Sequence, residues 1–279
     1  MTGILNIQIN PIIGNKEANL RKVDYFIKKN SDKKLDLVVL PEFFSTGIDH
    51  NSFVNFPEPE DGGETIRYIC ELAKKYNTNI IAGSVIEGVN GVNGVNGVNG
   101  KLYNTSFIID RNGIVVDKYR KIHLYNYMGG TEGERITAGD KLVTVDLDFG
   151  KVGIGICYDI RYPLHYKELA KQGAEIIVLP TAWVVPNEIY NDDSVLKNAQ
   201  DMWIAMNRTR AYDNLVYIVS CNQTGKCNDN VSCIGNSLVI APTTEVCINA
   251  KNEQGGFYAD IDLNIVKLYK SIYPIAQID

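Results

Sequence analysis

The sequence predicts an α/β protein, and three observations support this fold class. Short apolar runs rich in β-branched residues alternate with longer segments whose apolar residues recur at helical spacing. Hairpin signals interrupt this alternation, and the composition does not shift anywhere along the 279 residues. Two adjoining sheets with helices on their outer faces would accommodate this order of elements.

The helices are assigned from caps and from apolar spacing. Asn15 is a suitable N-cap, and the helix that follows it is expected to end near Lys29. One face of this helix carries the apolar residues Leu20, Val23, Phe26 and Ile27. The other predicted helices cover residues 65–76, 164–172 and 194–212.

The strands are assigned from short apolar runs that end at turn signals. Asn112-Gly113 is a strong hairpin signal, and Phe149-Gly150 marks a second hairpin. The predicted strands cover residues 4–9, 35–40, 79–85, 105–109, 114–119, 143–147, 152–156, 175–179, 215–220, 235–240 and 256–261.

Residues 88–100 repeat the triplet Gly-Val-Asn four times and end on glycine. Glycine at every third position occurs in collagen, but the tract has no proline, so a collagen helix is excluded. Because glycine and asparagine favour turns, we interpret the tract as an expanded hairpin loop at the surface. A ligand-binding lid is the alternative.

Length, composition and charge limit the class of protein. The 279 residues are 45% hydrophobic and carry a formal net charge of −5. This is enough for one large core, so we expect a single domain over residues 1–279. A mildly acidic chain without a basic stripe is not expected to bind nucleic acid. No apolar run approaches ~18 residues and no signal peptide is visible, so we expect no membrane contact and a cytoplasmic location.

Six cysteines are scattered along the chain without a Cys-x-x-Cys pair. A core of this size needs no disulfides, which agrees with a reduced compartment. A zinc site at Cys221, Cys227 and Cys233 was considered, but their spacing does not match zinc motifs. In addition, Cys221 ends a predicted strand, so we expect no metal.

Cys157 lies at the C-terminal end of a β-rich apolar run, and Pro163 marks the first turn of a helix shortly after it. A side chain at such a connection faces the crevice in which open α/β sheets bind ligands. The nearby helix start favours negative charge, so we expect the thiolate to gain over the thiol. These features suit a nucleophile, and the alternative is a small buried core residue.

Two charged residues occupy positions equivalent to that of Cys157, directly after a predicted strand. Glu42 follows the predicted strand 35–40, and Lys121 follows the predicted strand 114–119. If these strands and the one before Cys157 share one sheet face, the three side chains converge on one crevice. Covalent catalysis needs such a set: a base for the thiol proton, a positive charge for an oxyanion, and a nucleophile. Each charge taken alone is equally compatible with a solvated loop residue.

Three segments resemble the signatures of the nitrilase, or carbon–nitrogen hydrolase, superfamily, in the same order and with similarly wide spacing. They are Leu40-Pro41-Glu42, Tyr119-Arg120-Lys121-Ile122-His123-Leu124 and Gly155-Ile156-Cys157-Tyr158-Asp159-Ile160-Arg161-Tyr162-Pro163. Three motifs in register are specific where a single one is weak. The resemblance extends over nearly the whole chain.

This resemblance implies a four-layer αββα sandwich and a cysteine-dependent amidase that needs no cofactor. Glu42 would accept the proton of Cys157, and the thiolate would attack the amide carbon. Lys121 and the backbone N–H of Tyr158 would hold the tetrahedral oxyanion. The departure of ammonia would give a thioester. Water activated by Glu42 would then hydrolyse this thioester.

The family also implies a second glutamate, seven residues before the glycine of a Pro-Gly-Asp-like turn. Here the turn is Ala138-Gly139-Asp140, and the count places the glutamate at Glu132. Glu134 stays open as the alternative, because a slip of two residues would select it.

Further residues near the motifs have secondary roles. The resemblance implies that His123 makes a structural hydrogen bond and is not the base. We expect Asp159 and Arg161 to form a polar network beside the cysteine. Trp183 and Tyr127 are candidates to line the substrate pocket, although a tryptophan is commonly a core residue.

The residues after the cysteine indicate a branch of the family. Tyr158-Asp159 stands where nitrile-cleaving members usually have Trp-Glu, and it resembles the small amidases that include the ω-amidases. Those enzymes act on ω-amides of 2-oxo dicarboxylic acids, so the substrate would need a cationic partner. The candidates are Arg161, near the nucleophile, and Arg135, in a variable loop. The alternatives are an N-carbamoyl amidase, a nitrilase, and a catalytically silent binding or regulatory member.

The family further implies a homodimer or a higher homo-oligomer. The candidate interface consists of the helix after Pro163 and the long helix 194–212. The long helix offers Leu196, Met202, Trp203 and Met206 as apolar surface, unless the core absorbs them.

Overall fold

The computed structural model describes residues 1–49, 55–89, 100–127 and 130–273. Within these ranges two six-stranded sheets lie face to face, and helices cover the outer face of each. This is the four-layer αββα sandwich that the resemblance implies, and the predicted fold class is confirmed.

The first sheet has strands from both ends of the chain. Its members are β1 (Thr2–Gln8), β2 (Leu37–Val39), β3 (Asn79–Val89), β4 (Lys101–Ile109), β5 (Val115–Arg120) and β15 (Gly255–Ile261). Their spatial order is β15-β1-β2-β3-β4-β5. Strands β1, β2 and β3 run parallel, and the other neighbours pair antiparallel.

The second sheet comes from the later part of the chain. Its members are β6 (Thr144–Leu147), β7 (Gly150–Ile154), β8 (Ile176–Thr181), β10 (Tyr217–Asn222), β13 (Leu238–Ile240) and β14 (Val246–Asn249). Their order is β14-β13-β10-β8-β7-β6. A small third sheet has the order β11-β12-β9 and consists of β9 (Val184–Pro186), β11 (Thr224–Lys226) and β12 (Val231–Ile234).

Helices cover both sheets. The first sheet carries α1 (Lys16–Lys29) and α2 (Gly63–Tyr76), and the second carries α3 (Pro163–Lys171) and α5 (Asp193–Asn214). The remaining helices are α4 (Asn187–Tyr190) and α6 (Asn264–Ile272). The side chain of Asn15 caps α1 as predicted, accepting the N–H of Ala18 at 3.1 Å. None of the helices in the described ranges is long and apolar enough to cross a membrane.

Alternating side chains of the first sheet fill two cores. In β1, Ile4 packs between the two sheets, whereas Leu5 and Ile7 pack under the helices. Both faces of the strand are therefore buried, which explains why the strand signal is a continuous apolar run. Asn6 faces the second sheet and donates to the carbonyl oxygens of Ser220 and Leu238, so its buried amide nitrogen is satisfied.

The predicted elements agree with the structure within a few residues at their ends. The sequence did not reveal the three short strands of the small sheet, β14, or helices α4 and α6. Strands of three or four residues are too short to show a period, so this omission has a physical reason.

The long helix α5 uses its apolar residues in two ways. Leu196 and Trp203 are buried in the core, so they do not belong to a free apolar face. Met202 is 44% exposed, and Met206 packs against the core from a partly buried position.

The Gly-Val-Asn repeat joins two paired strands. Residues 90–99 lie outside the described residues, but Val89 at the end of β3 pairs with Lys101 at the start of β4. The repeat therefore connects the two arms of a hairpin, as predicted.

Removal of residues 91–99 tests whether the repeat matters for stability. The deletion would leave Asn90-Gly100 between the paired residues Val89 and Lys101, and Asn-Gly is a preferred two-residue hairpin turn. Because loop-closure entropy depends only weakly on length, we expect the free energy of unfolding to change by less than about 1 kcal/mol in chemical denaturation. A large loss of turnover at unchanged stability would instead favour the lid alternative.

Candidate active site

The three residues singled out by their positions after strands meet in one buried cluster. Glu42 and Lys121 are each 2% exposed, and Cys157 is 8% exposed. The expectation that their strands share one sheet face is wrong. Glu42 and Lys121 follow β2 and β5 of the first sheet, whereas Cys157 follows β7 of the second. The cluster forms because the two sheets face each other.

Lys121 is held between two carboxylates. Its Nζ lies 2.9 Å from Oε1 of Glu42 and 2.8 Å from Oε2 of Glu132. Glu132 is 7% exposed, and its Oε2 also accepts the backbone N–H of Tyr125 at 2.8 Å. Glu134, the alternative by count, is exposed on the same short 3₁₀ helix. The structure therefore places Glu132, not Glu134, against the lysine.

Asn104 in β4 connects the two carboxylates. Its Nδ2 donates to Oε1 of Glu42 at 2.8 Å and to Oε1 of Glu132 at 2.9 Å. Sequence reasoning did not identify this residue. The available signal was an amide beside two hydroxyl residues, Asn104-Thr105-Ser106, in the middle of β4. A buried polar residue needs a partner, and this one has two.

Two residues from the second sheet hold Glu42 from the other side, one at its carboxylate and one at its backbone carbonyl. Its Oε2 accepts the N–H of Ala182 at 3.0 Å, and its carbonyl oxygen accepts from Nε2 of Gln223 at 2.7 Å. Ala182 and Gln223 follow β8 and β10, so the second sheet fixes a residue of the first.

Glycine permits the tight turn that presents Glu42. Gly83 has φ of +29°, and a Cβ there would lie 2.1 Å from the carbonyl oxygen of Pro41. Only glycine, which has no Cβ, allows β3 to come this close to the turn. The next residue, Ser84, accepts the N–H of Phe43 at its Oγ at 3.1 Å.

Cys157 sits on a strained backbone. Its φ is +47°, a left-handed conformation that is costly for a residue with a Cβ. The side chain of Asp159 supports this conformation, because its Oδ2 accepts the N–H of Ile156 at 2.7 Å. A 3₁₀ helix, Cys157–Arg161, begins at the thiol, whereas helix α3 begins six residues further on, at Pro163.

Asp159 is the centre of a buried hydrogen-bond network. It accepts from the hydroxyl of Tyr119 at 2.7 Å and from the backbone N–H of His123 at 3.1 Å, and it lies 2.7 Å from Nδ1 of His123. These bonds hold the pKa of Asp159 below its usual value although burial opposes this. The predicted structural hydrogen bond of His123 is therefore present.

The same network resembles a metal site by distance alone. Ligand atoms of His123, Asp159 and His165 lie within 4.8 Å of one another. Both oxygens of Asp159 are already used, and Nε2 of His165 lies 3.1 Å from the carbonyl oxygen of Ile154. We therefore interpret the group as a hydrogen-bonded support for the connection that carries Cys157.

The thiol of Cys157 is favoured over the thiolate, contrary to the expectation from the helix start. Burial raises the pKa of Cys157 well above its usual value, and the negative charge of Glu42 raises it further. Lys121 and the N–H of Ala182 act in the opposite direction but do not reverse the shift. Desolvation and the neighbouring carboxylate outweigh the dipole of a short helix.

The charged residues Glu42 and Lys121 also shift each other's pKa values. Burial raises the pKa of Glu42, and Lys121 only partly compensates. Burial alone would lower the pKa of Lys121, but Glu132 and Glu42 outweigh it, so the pKa lies well above its usual value. The site therefore combines a permanent ammonium, a carboxylate of increased basicity and a neutral thiol.

Two of the predicted pocket residues, Arg161 and Trp183, lie next to each other. The guanidinium of Arg161 is 5.4 Å from the ring of Trp183 and 5.8 Å from the ring of Tyr158. Arg161 thus stacks on aromatic rings and does not join the Asp159 network, which corrects the expectation. Trp183 is 9% exposed and also packs on Trp203 at 5.0 Å between ring centroids, so it belongs to the core as well.

Tyr127 lies at the rim. It is 59% exposed, and its ring centroid is 6.1 Å from that of Tyr158. Tyr125 is closer to the centre, because its ring lies 5.3 Å from Tyr158 and its backbone N–H donates to Oε2 of Glu132. Sequence reasoning did not single out Tyr125.

Comparison with known proteins agrees with this geometry. The sequence model of the carbon-nitrogen hydrolase family matches residues 6–271. The 2-oxoglutaramate amidase of Bacillus subtilis is 32% identical over 257 residues, which span 92% of this chain and 89% of that protein. The deaminated glutathione amidase of Dictyostelium discoideum is 30% identical over 272 residues, or 94% and 88% of the two chains.

A solved structure supports the same assignment. The crystal structure of Saccharomyces cerevisiae Nit3, a member of branch 10 of the nitrilase superfamily, superposes with a TM-score of 0.82 at 26% identity. The match covers 98% of this chain and 94% of that one. The chain belongs to the carbon–nitrogen hydrolase family, and it is a hydrolase that acts on carbon–nitrogen bonds.

Proposed function

We propose that this chain is a cysteine-dependent amidase that converts the ω-amide of a small 2-oxo dicarboxylic acid to the acid and ammonia. The observation that carries the proposal is the buried cluster in which Lys121 joins Glu42 and Glu132 beside the thiol of Cys157. This cluster supplies a nucleophile, a base and a cation within one water-poor space.

Glu42 is the general base of the proposed mechanism. Its negative charge acts directly on the thiol of Cys157, so it is the nearby carboxylate available as the proton acceptor. The raised pKa of Glu42 makes it a better proton acceptor than an exposed glutamate. The proton moves from sulfur to Glu42 as the sulfur attacks the amide carbon, and it then leaves with ammonia. Glu42 next takes a proton from the water that hydrolyses the thioester.

Lys121 and Tyr158 hold the oxyanion. Two protons of the ammonium have acceptors in Glu42 and Glu132, which leaves the third for the substrate oxygen. The backbone N–H of Tyr158 lies in the first turn of the 3₁₀ helix that begins at the nucleophile. Such N–H groups at a helix start lack intrahelical acceptors and stabilise developing negative charge.

Glu132 has a positioning role. It fixes Lys121 and, through Asn104, the carboxylate of Glu42. Its own Oε2 is bound by the N–H of Tyr125, which anchors the cluster to the backbone. Oriented groups of this kind need not reorganise during the reaction.

Arg161 is the proposed partner of the substrate carboxylate, with Trp183 and Tyr127 beside it. Its guanidinium is exposed, four residues after Cys157, and it is oriented by the rings of Tyr158 and Trp183. A planar guanidinium binds a carboxylate with two parallel hydrogen bonds. The 2-oxoglutaramate amidase among the relatives supports an acidic substrate of this kind.

We further propose a homodimer in the cytoplasm. Leu164 at the start of α3 is 72% exposed and Met202 on α5 is 44% exposed, so both helices present apolar side chains to solvent. The pairing surface is smaller than the sequence indicated, because Leu196 and Trp203 are buried within the chain.

An ammonia-release assay tests the proposed substrate class. The panel contains 2-oxoglutaramate, deaminated glutathione, glutamine, asparagine, short aliphatic amides, N-carbamoyl amines and nitriles. We expect the highest kcat/KM for 2-oxoglutaramate and no turnover by Cys157→Ala. The matched control Cys247→Ala, at an exposed thiol, should retain most activity. Turnover by Cys157→Ala, or hydrolysis confined to nitriles, would contradict the proposal.

Alkylation by iodoacetamide tests the relation between Glu42 and the thiol. Wild-type Cys157 should react only as the pH rises above the usual thiol range, because its pKa is raised. Glu42→Gln removes a charge that raises this pKa, so the alkylation profile should move to lower pH while turnover is lost. A Glu42→Gln variant with normal turnover would refute the base assignment.

Substitution of the second glutamate tests its positioning role. Glu132→Gln keeps the shape but removes the charge beside Lys121, and we expect turnover to fall about 10²-fold. The alkylation of Cys157 by iodoacetamide should keep its wild-type pH profile, because Glu42, the carboxylate that raises the pKa of the thiol, is intact. Glu134→Gln is the control at an exposed site and should match the wild type in kcat. The opposite pattern would assign the role to Glu134.

A further inference from the structure

Two cysteines lie together on the hairpin of β11 and β12. Gly225 pairs with Cys233, and the N–H of Cys227 donates to the carbonyl oxygen of Val231. Cys227 and Cys233 are therefore diagonal neighbours on one face of the hairpin. Their sulfurs are 3.2 Å apart. Cys221 points elsewhere, with its thiol 3.2 Å from the carbonyl oxygens of Ile7 and Val39.

The two thiols differ in exposure and acidity. Cys233 is completely buried, whereas Cys227 is partly exposed. The hydrogen bond with Cys233 lowers the pKa of Cys227 although burial opposes it, and burial raises the pKa of Cys233. A more acidic, accessible thiol beside a less acidic, buried one is the arrangement of an attacking and a resolving cysteine.

This hairpin supports the catalytic cluster from behind. Cys233 belongs to the same buried apolar cluster as Phe43 and Ala182, the residues that follow and hold Glu42. It also pairs with Val184 in β9. Gln223, directly before β11, donates to the carbonyl oxygen of Glu42 at 2.7 Å. A shift of the hairpin would therefore move the groups that position the base.

We propose that Cys227 and Cys233 are a peroxide-sensitive dithiol whose disulfide displaces the hairpin behind Glu42 and lowers turnover reversibly. The oxidation itself is independent of the proposed amidase function, and only the effect on turnover rests on it. A zinc ion is a poorer fit, because the described residues provide no third ligand near these sulfurs.

The oxidation has two steps and needs hydrogen peroxide as the oxidant. The Cys227 thiolate attacks one peroxide oxygen, the O–O bond breaks, and the hydroxide released becomes water with a proton from solvent. The sulfur of Cys233 then attacks the sulfenic acid on Cys227, and a second water leaves with the proton of Cys233. Two thiols lose two electrons, and one peroxide is reduced to two waters.

Bond formation requires movement. A disulfide has sulfurs about 2.05 Å apart, so the present pair must approach by roughly 1 Å. The partners of this hairpin, β9 and Gln223, are tied to the active site, so the displacement reaches the cluster. A misplacement of ~1 Å can reduce a catalytic rate up to about 10²-fold.

The test combines peptide mapping with kinetics on the full chain. The protein is treated with graded hydrogen peroxide, free thiols are blocked, the sample is reduced, and newly exposed thiols receive a second label. We expect the second label on Cys227 and Cys233 at lower peroxide than any change at Cys157. Turnover should fall about 10- to 100-fold and return with dithiothreitol.

Variants separate this pair from oxidation of the nucleophile. Cys227→Ser should keep basal turnover and resist the early, reversible loss, and Cys233→Ala should form no disulfide at Cys227. The control Cys247→Ser should behave as the wild type. The proposal would be overturned if Cys227 and Cys233 stayed reduced while Cys157 was oxidised. An unchanged loss of turnover in Cys227→Ser, or a disulfide without effect on turnover, would also overturn it.

Discussion

Lys121 holds two carboxylates at hydrogen-bond distance in a space that is almost closed to solvent, and the rest of the site depends on this ion cluster. The two acids and one cation bury one excess negative charge, which is costly unless every lone pair has a donor. Asn104, the N–H of Ala182 and the N–H of Tyr125 provide these donors. Burial raises the pKa of Glu42 and of Cys157, and the excess negative charge of the cluster raises both further. The thiol is thus neutral at rest, and its proton has a nearby acceptor.

The four-layer fold provides this cluster by facing two sheets toward each other. One sheet contributes the base and the cation, and the other contributes the nucleophile and the backbone donor of Ala182. The cost of the arrangement is local backbone strain, since Cys157 adopts a positive φ and Gly83 is needed for contact with the turn before Glu42. Strain of this kind persists only where neighbouring contacts enforce it, and Asp159 and Ser84 supply those contacts.

Much of this could be predicted from the sequence, because motifs and apolar periods are local. Element order, the positions of Glu42, Lys121 and Cys157 after strands, and the count to Glu132 all come from local patterns. The residues that were missed act over long separations: Asn104 binds Glu42 across 62 positions, and Ala182 binds it across 140. The charge state of Cys157 was also mispredicted, because desolvation and a carboxylate from another strand outweigh the local helix start. Arg161 was placed in the wrong network for the same reason, since its aromatic partner Trp183 lies on a distant strand connection.

The central claim is that the Cys157 sulfur becomes covalently acylated while the ion cluster transfers the proton. Rapid acid quenching during turnover of 2-oxoglutaramate, followed by peptide mapping by mass spectrometry, tests this most directly. The account predicts an acyl adduct on the peptide that contains Cys157, formed together with the first ammonia released and absent from Cys157→Ala. Ammonia release by the wild type with an adduct on a different residue, or with no adduct in quenched samples across the first turnover, would contradict it.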